Sequence, residues 1–552
     1  MLISRRTFTG GALSVALGSR FAVPALAQAP GALSAALDAI HAYGEAHRLY
    51  YDLPGMTLGV TAPGGIAAVM NFGYANRDSR AAISPGTLFQ IGSGTKSLLA
   101  ALIHQFAGEG RFQLGDRISD LLPAIPLPPN NGIAIQHLLD HTSGLPDWTP
   151  LSPDGGLWTG FPPGEHWSYS NTGYAILGKL AEQAGGKRLA GLFSERLLVP
   201  LGMRLSRGAI LAADRPQYAQ GYEAADPSVP FARGMPLAPA PWVDVTEGFG
   251  CVGSTAADMN RWLRTLASAA RGRGGAGLSP DQARAFTSHH VPTDTRGMSY
   301  GNGLMHVGER GRSYLHHTGG MVSFSSSFHV DLASGVGAFA SANVSAFVEY
   351  RPRLLTRFAV NALTDALAHR PLAPPPSLGI RLPNPSAYIG TFSGPAGRFE
   401  VRAGSPLTIV ADGQSAALQP WGGETFRTTH AAFREFSLLF ERKAGAVVKA
   451  SWGGATYLRG QAAPPAPAPH ATLAPLTGRF VNDSPWLGTM RVVEREGKLW
   501  IGTEVPMEPI AKNLWRVGDD RWSPERGSFA DFVDGRPQTF IFSGEKFARA
   551  DG

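Results

Sequence analysis

The chain reads as an α+β protein in which an antiparallel sheet is assembled from both ends of a large first domain. A helical insertion lies between the two halves of the sheet, and two small antiparallel β-barrel domains follow. Three observations lead to this reading. Strand-like runs occur early in the large block and again at its end, with helical, loop-rich sequence between them. Two Pro/Ala-rich stretches, Pro371 to Pro376 and Ala462 to Pro469, interrupt the chain as linkers do. The two segments behind them echo one another.

At the front, Ser4-Arg5-Arg6-Thr7-Phe8 is followed by an apolar run from Gly10 to Leu17 and then by Ala25-Leu26-Ala27. This order marks 1–27 as a twin-arginine export signal, so the expected location is periplasmic or secreted. The domain expected over 30–370 opens with a helical pattern, Leu33, Leu37, Ile40 and Tyr43. Met56 to Thr61 and Ile66 to Tyr74 then read as a hairpin around Pro63-Gly64-Gly65. The closing strands are expected at Arg312 to Thr318, Ser325 to Asp331 and Val336 to Asn343. Behind the first linker, Tyr388-Ile-Gly-Thr-Phe and Phe399-Glu-Val-Arg are echoed behind the second by Leu476-Thr-Gly-Arg-Phe and Met490-Arg-Val-Val. Short strands at such regular spacing predict tandem barrels over 378–460 and 472–552.

Composition narrows the functional classes. The 552 residues are 43% hydrophobic and 16% charged, ordinary for a soluble globular protein. No stretch after the leader reaches the roughly eighteen apolar residues of a membrane span. Removal of Arg5, Arg6 and Arg20 with the leader takes the net charge from +7 to +4. An excess so mild, without basic blocks, gives no case for nucleic acid. The lone Cys251 excludes an internal disulfide. Between Gly86 and Ser97 the phosphate-loop pattern fails, because Thr95 stands where its second glycine belongs. His137 and His141 flank Leu138 instead of the glutamate of a zinc-protease helix, so they read as core or capping residues. No metal or cofactor is expected, and the partner is a small molecule or short peptide.

The chemistry concentrates in three places. Ser93-Gly94-Thr95-Lys96 heads a predicted helix running to about Gly108, and one turn puts the hydroxyl and the amine on one face. A serine nucleophile with an adjacent base needs that arrangement. Lys96 can act as base only when neutral. Burial among Leu98, Leu99, Leu102, Ile103 and Phe106, together with the positive helix N-terminus, pushes its pKa down. Tyr169-Ser170-Asn171, leading into a helix from Gly173, offers a phenol for proton relay and a carboxamide anchor. His317-Thr318-Gly319-Gly320 lies on a predicted strand whose glycines permit close backbone approach. The sequence does not rank Lys96 against Tyr169 as the base.

As a set, in this order, the three motifs resemble the β-lactamase and penicillin-binding serine hydrolase superfamily, in the tyrosine form of class C β-lactamases, related esterases and D-aminopeptidases. Flanking text strengthens the resemblance: Phe89-Gln-Ile-Gly-Ser-Gly-Thr-Lys-Ser, His137-Leu-Leu-Asp-His-Thr-Ser-Gly-Leu-Pro, Tyr169-Ser-Asn-Thr-Gly-Tyr, Pro200-Leu-Gly-Met and Ser254-Thr-Ala-Ala-Asp-Met. It covers roughly Leu33 to Leu363 and implies a β-lactamase/transpeptidase-like fold. It also implies catalysis by Ser93, Lys96 and Tyr169, and substrate binding by Asn171, His317, Thr318 and Gly319. The backbone N–H groups of Ser93 and Gly320 would form the oxyanion hole. The two barrels resemble the three-domain layout of D-aminopeptidase. His317 stands where many relatives carry a lysine for the substrate carboxylate, which argues for an amide or ester lacking that group. The expected function is a seryl acyl-enzyme hydrolase, D-aminopeptidase-like, with a carboxylesterase or β-lactamase on the same site as the alternative. A non-catalytic peptidoglycan-binding protein is the alternative from another class. Asp519 or Asp520 of the last barrel is expected to meet a substrate amine if a barrel loop covers the cleft.

Overall fold

The structure, a computed structural model, describes residues 31–550 other than 153, 466, 467 and 469. The export signal expected over 1–27 lies outside the described residues. The first domain is built on nine strands: β1 (Gly55–Thr61), β2 (Ala67–Asn76), β3 (Ala81–Ala82), β4 (Val291–Pro292), β5 (Met298–Gly301), β6 (Leu304–Glu309), β7 (Arg312–Gly320), β8 (Ser325–Asp331) and β9 (Gly337–Ala342). Their order across the sheet is β3-β2-β1-β9-β8-β7-β6-β5-β4, so the early hairpin joins the late meander through β1 and β9. That seam is antiparallel, with Met56 opposite Ala342 and Gly59 opposite Phe339. The strands around it are buried along their whole length, as expected of a sheet covered on both faces.

Five helices position the site: α1 (Gly31–Tyr50), α2 (Thr95–Gly108), α3 (Asn171–Gly185), α4 (Ala256–Ala270) and α5 (Arg353–Leu367). On one face α1 and α5 pack together, their Leu33, Ile40, Tyr43, Leu355, Phe358 and Leu363 sharing a core with β1 and β9. On the other, α4 lies against β1 and β9, and the insertion carrying α2 and α3 shares its core through Leu98, Leu102, Ile176, Trp262 and Phe328. Helix α2 is buried on all sides from Thr95 to Phe106, which its nearly unbroken apolar sequence requires.

Behind the first domain stand two closed eight-stranded antiparallel barrels. The first runs from strand Gly390–Gly394 to strand Ala455–Arg459, where Phe392 pairs with Arg459. The second runs from Gly478–Val481 to Glu545–Arg549, where Phe480 pairs with Arg549. Closure leaves no open edge, and inward-facing aromatics fill each interior: Phe392, Phe399 and Phe440 in one, Phe480, Phe529 and Phe540 in the other.

Strand ends shift from expectation by a residue or two, and two boundaries near the site do so for local reasons. Strand β7 continues past Thr318 to Gly320, pairing Gly319 with Ser326 and Gly320 with Ser325. Helix α3 begins at Asn171, because Ser170 is its N-cap: Ser170 Oγ accepts from Gly173 N at 3.0 Å while donating to Pro146 O at 2.7 Å.

Candidate active site

The turn before α2 brings the site to the sheet. Gly92 has φ +52°, and a Cβ there would stand 2.9 Å from Gly320 N, so only glycine allows this turn to lie against β7. On the strand side, a Cβ at Gly319 would lie 2.0 Å from Ile91 O. The close backbone approach expected at the third motif is thus with the chain's own first motif. Ser93 follows on the short turn Gly92–Gly94, half-buried.

Lys96 is fully buried, and its amine has three oxygens around it: Asn171 Oδ1 at 2.6 Å, Phe249 O at 3.0 Å and Ser93 Oγ at 3.1 Å. Asn171 Oδ1 and the carbonyl are acceptors only, so they take two N–H bonds; Ser93 Oγ can donate. A neutral lysine therefore has its lone pair facing the serine hydroxyl. Burial holds Lys96 down to about 7, with Asp147 pulling in the other direction. Asn171 is oriented by Asp147, whose Oδ1 accepts from Asn171 N at 3.0 Å and from Nδ2 at 2.9 Å. Burial raises the Asp147 carboxyl above its usual range.

The Tyr169 hydroxyl faces Ser93, and its ring stands 4.9 Å from the Lys96 amine. Burial drives its pKa far above that of free tyrosine. It is therefore a proton-bearing phenol wherever Lys96 titrates, which separates the two groups that sequence reasoning left level. His141 secures this motif from below: Ser170 N donates to His141 Nδ1 at 3.0 Å, and the His141 and Tyr169 rings lie 4.2 Å apart. His137 Nδ1 accepts from Ala134 N at 3.1 Å, so the two histidines do serve core and capping roles.

His317 is buried and pushed down to about 3, first by burial and then by Lys96. Its Nδ1 lies 2.6 Å from Thr318 O and its Nε2 3.1 Å from Tyr300 OH. The carbonyl accepts only, so Nδ1 carries the proton and Nε2 receives the Tyr300 hydroxyl. The ring is neutral with both nitrogens engaged inside the protein. Thr318 and Gly320, half-buried, occupy the free end of β7 beside Ser93.

Sequence reasoning missed Asp147, Phe249, Tyr300 and Arg351. Asp147 directly follows the family-like phrase ending at Pro146, which was a usable signal; a backbone acceptor such as Phe249 O leaves none. Arg351 reaches the site from the turn before α5. Its Nη1 donates to Ala346 O at 2.8 Å and Tyr350 O at 3.0 Å, and a Cβ at Gly320 would stand 2.8 Å from Nη2. A cation is therefore present beside Gly320, on a different element from the third motif. Asp520, expected at a substrate amine, lies instead against His166 at 3.2 Å, with Asp294 at 3.6 Å from the same nitrogen. The barrel groups that reach the neighbouring cavity are Trp486 and Glu545. That cavity, about 580 Å³, is walled by Asn171 and Phe249, which hold Lys96, and by Trp148, Trp486 and Leu189.

A serine hydroxyl facing a buried lysine and a tyrosine, at the end of an antiparallel sheet, defines the β-lactamase-fold serine hydrolases. Comparison with known proteins places the chain there: the family model described as Beta-lactamase matches residues 38–360, and the chain belongs to that family. Penicillin-binding protein 4* of Bacillus subtilis (strain 168) is 29% identical over 221 residues, 36% of this chain and 48% of that protein. The D-aminopeptidase of Cereibacter sphaeroides is 29% identical over 197 residues, 31% of this chain and 36% of that protein. The matches thus span about half the length of such curated relatives, or less. Among solved structures, the octameric penicillin-binding protein homologue from Pyrococcus abyssi is similar in fold, with TM-score 0.55 at 21% identity, over 77% of this chain and 100% of that one.

Proposed function

We propose that the protein hydrolyses amide or ester bonds through a seryl acyl-enzyme. Neutral Lys96 takes the proton of Ser93 as Oγ attacks the substrate carbonyl. The negative oxygen that develops is received by the N–H groups of Ser93 and Gly320. Tyr169, still protonated, donates to the leaving group and recovers a proton from Lys96, so the pair acts as acid in acylation and as base when water attacks the ester. The observation that carries this reading is the trio of oxygens around the Lys96 amine, two of them pure acceptors.

For substrate, D-aminopeptidase-like amide hydrolysis is the reading we favour. A neutral His317 supplies no cation at the third motif, and a D-aminopeptidase is among the relatives. The apolar walls of the adjacent cavity, Trp148, Phe249 and Leu189, favour a carboxylesterase as the second reading. The leader at 1–27 supports export by the twin-arginine route, with action in the periplasm or outside the cell. Intact mass after incubation with a fluorophosphonate is the test. Wild type is expected to gain one adduct and Ser93→Ala none; no adduct on wild type refutes the enzyme reading. D-Alanyl anilides, short acyl esters and a cephalosporin then compete as substrates, and a clear preference for the cephalosporin refutes the amide and ester assignment.

A further inference from the structure

We infer that the second barrel is a working part of the active site, with Glu525 as the residue that positions Asp147 and, through it, Asn171 and Lys96. The inference rests on the acyl-enzyme reading above. The segment Pro146–Thr149 has two sides. Inward, it forms the seat of the second motif: Pro146 O accepts from Ser170 Oγ, Asp147 O from Thr172 N at 3.0 Å, and Asp147 Oδ1 from Asn171. Outward, the segment meets the second barrel at three points. Asp147 N donates to Glu525 Oε1 at 2.7 Å, and Thr149 Oγ1 donates to Ser543 O at 2.8 Å. The Trp148 ring stacks on Trp486 with centroids 5.4 Å apart. Ser543 also donates its hydroxyl to Glu525 Oε2, so the carboxylate is held from behind by the barrel's own wall.

Both Glu525 and Asp147 are buried carboxyls, each raised by burial, and the Asp147 charge raises Glu525 further. A plain interdomain fastener needs no buried acid, since a neutral amide bonds a backbone N–H without the desolvation cost. What the acid adds is a strong, directional hold on one N–H, two residues' reach from the amine that must stay aimed at Ser93. The path from barrel to base runs through Glu525, Asp147, Asn171 and Lys96, with heavy-atom contacts of 2.7, 2.9 and 2.6 Å.

The test uses the full-length protein with an acyl ester and a D-alanyl anilide. Glu525→Ala is expected to lower kcat 10- to 100-fold with KM within about threefold, to slow fluorophosphonate labelling of Ser93 by the same factor, and to move the acid limb of the pH profile downward as Asp147 loses its hold near Lys96. Glu525→Gln, which keeps an oxygen for Asp147 N but not the charge, is expected to recover only part of the rate. Should Glu525→Ala fail to fold, Ser543→Ala carries the same readouts with a 3- to 10-fold effect. A variant with wild-type kcat, labelling rate and pH profile but lowered Tm makes Glu525 a fastener and overturns the inference, as does an effect confined to KM. Wild type that is never labelled refutes the acyl-enzyme reading itself. Labelled wild type with equally fast labelling of Glu525→Ala refutes only the role of the barrel.

Discussion

Replacing Asp147 by asparagine isolates the electrostatics of the base. One carboxamide separates the acid from Lys96: Asp147 Oδ1 to Asn171 Nδ2 is 2.9 Å and Asn171 Oδ1 to Lys96 Nζ is 2.6 Å. The carboxylate is thus roughly 6–7 Å from the amine, and at an effective dielectric of about 20 that pair is worth about 2.5 kcal/mol, just under two pH units. Asparagine retains the acceptor that orients Asn171, so charge is the main thing removed. Burial pushes Lys96 down and Asp147 pulls it up, the balance lying at about 7. Without the pull, the amine sheds its proton at lower pH. Because the proposed mechanism makes the neutral amine the active form, the acid limb of kcat/KM should move down by one to two pH units, and the variant at pH 5.5 should retain a larger share of its own plateau rate than wild type does. Nitrophenyl ester hydrolysis between about pH 4.5 and 9.5, with labelling rates over the same range, measures it. A limb that stays in place or moves up would refute Lys96 as the titrating base.

Other expectations follow from the same geometry. Tyr169→Phe removes the leaving-group acid, so anilide hydrolysis should fall about 100-fold or more while activated esters, whose leaving groups need no proton, lose far less; equal losses on both would count against the relay. In wild type, Lys96 at about 7 and Tyr169 held high predict a rate that rises through neutral pH and stays flat to at least about pH 9, so a fall near pH 8 would show another group in control. Arg351→Ala should cost a substrate with a leaving-group carboxylate about 10- to 100-fold in kcat/KM and its uncharged analogue under about twofold; parallel losses would show that Nη2 serves the fold alone. Gly319→Ala places a methyl 2.0 Å from Ile91 O and 2.3 Å from Ser326 Oγ, which should destabilise on the order of 3 kcal/mol and slow labelling, read by urea unfolding.

Much of this was legible because it is written in periodicity and in local motifs. The hairpin of β1 and β2, the late strands β7 to β9 and helix α2 follow from alternating or nearly continuous apolar runs. The barrels follow from short strands at regular spacing. Less legible was anything decided by partners far along the chain. Nothing near Ser93 announces that Lys96 is aimed by a carbonyl at 249, or that Tyr300 will occupy the His317 ring. The sequence shows that a third-motif cation is missing, but not that Arg351 stands nearby on another element. Asp520 illustrates the converse: its sequence position suggested a cleft-facing acid, while the fold turns it toward His166 at the domain boundary.

The site shows why the hydrolase domain keeps so many ionisable groups indoors. His141 and His317 are held neutral by burial, and Tyr169, Tyr174 and Tyr300 are held protonated by it. That leaves Lys96, balanced at about 7, as the group beside Ser93 whose charge changes near neutral pH. A lone ammonium in this setting would lose its proton entirely, and a lysine in water would keep it; neither serves as a base at pH 7. The apolar helix α2 supplies the downward push and Asp147 the correction. The packing that makes the domain stable is thus also what makes its lysine basic at the right pH. The correction, however, comes from a loop whose outer side is held by another domain. On the proposed mechanism, the base can then be tuned from the barrel without altering any residue that contacts Ser93.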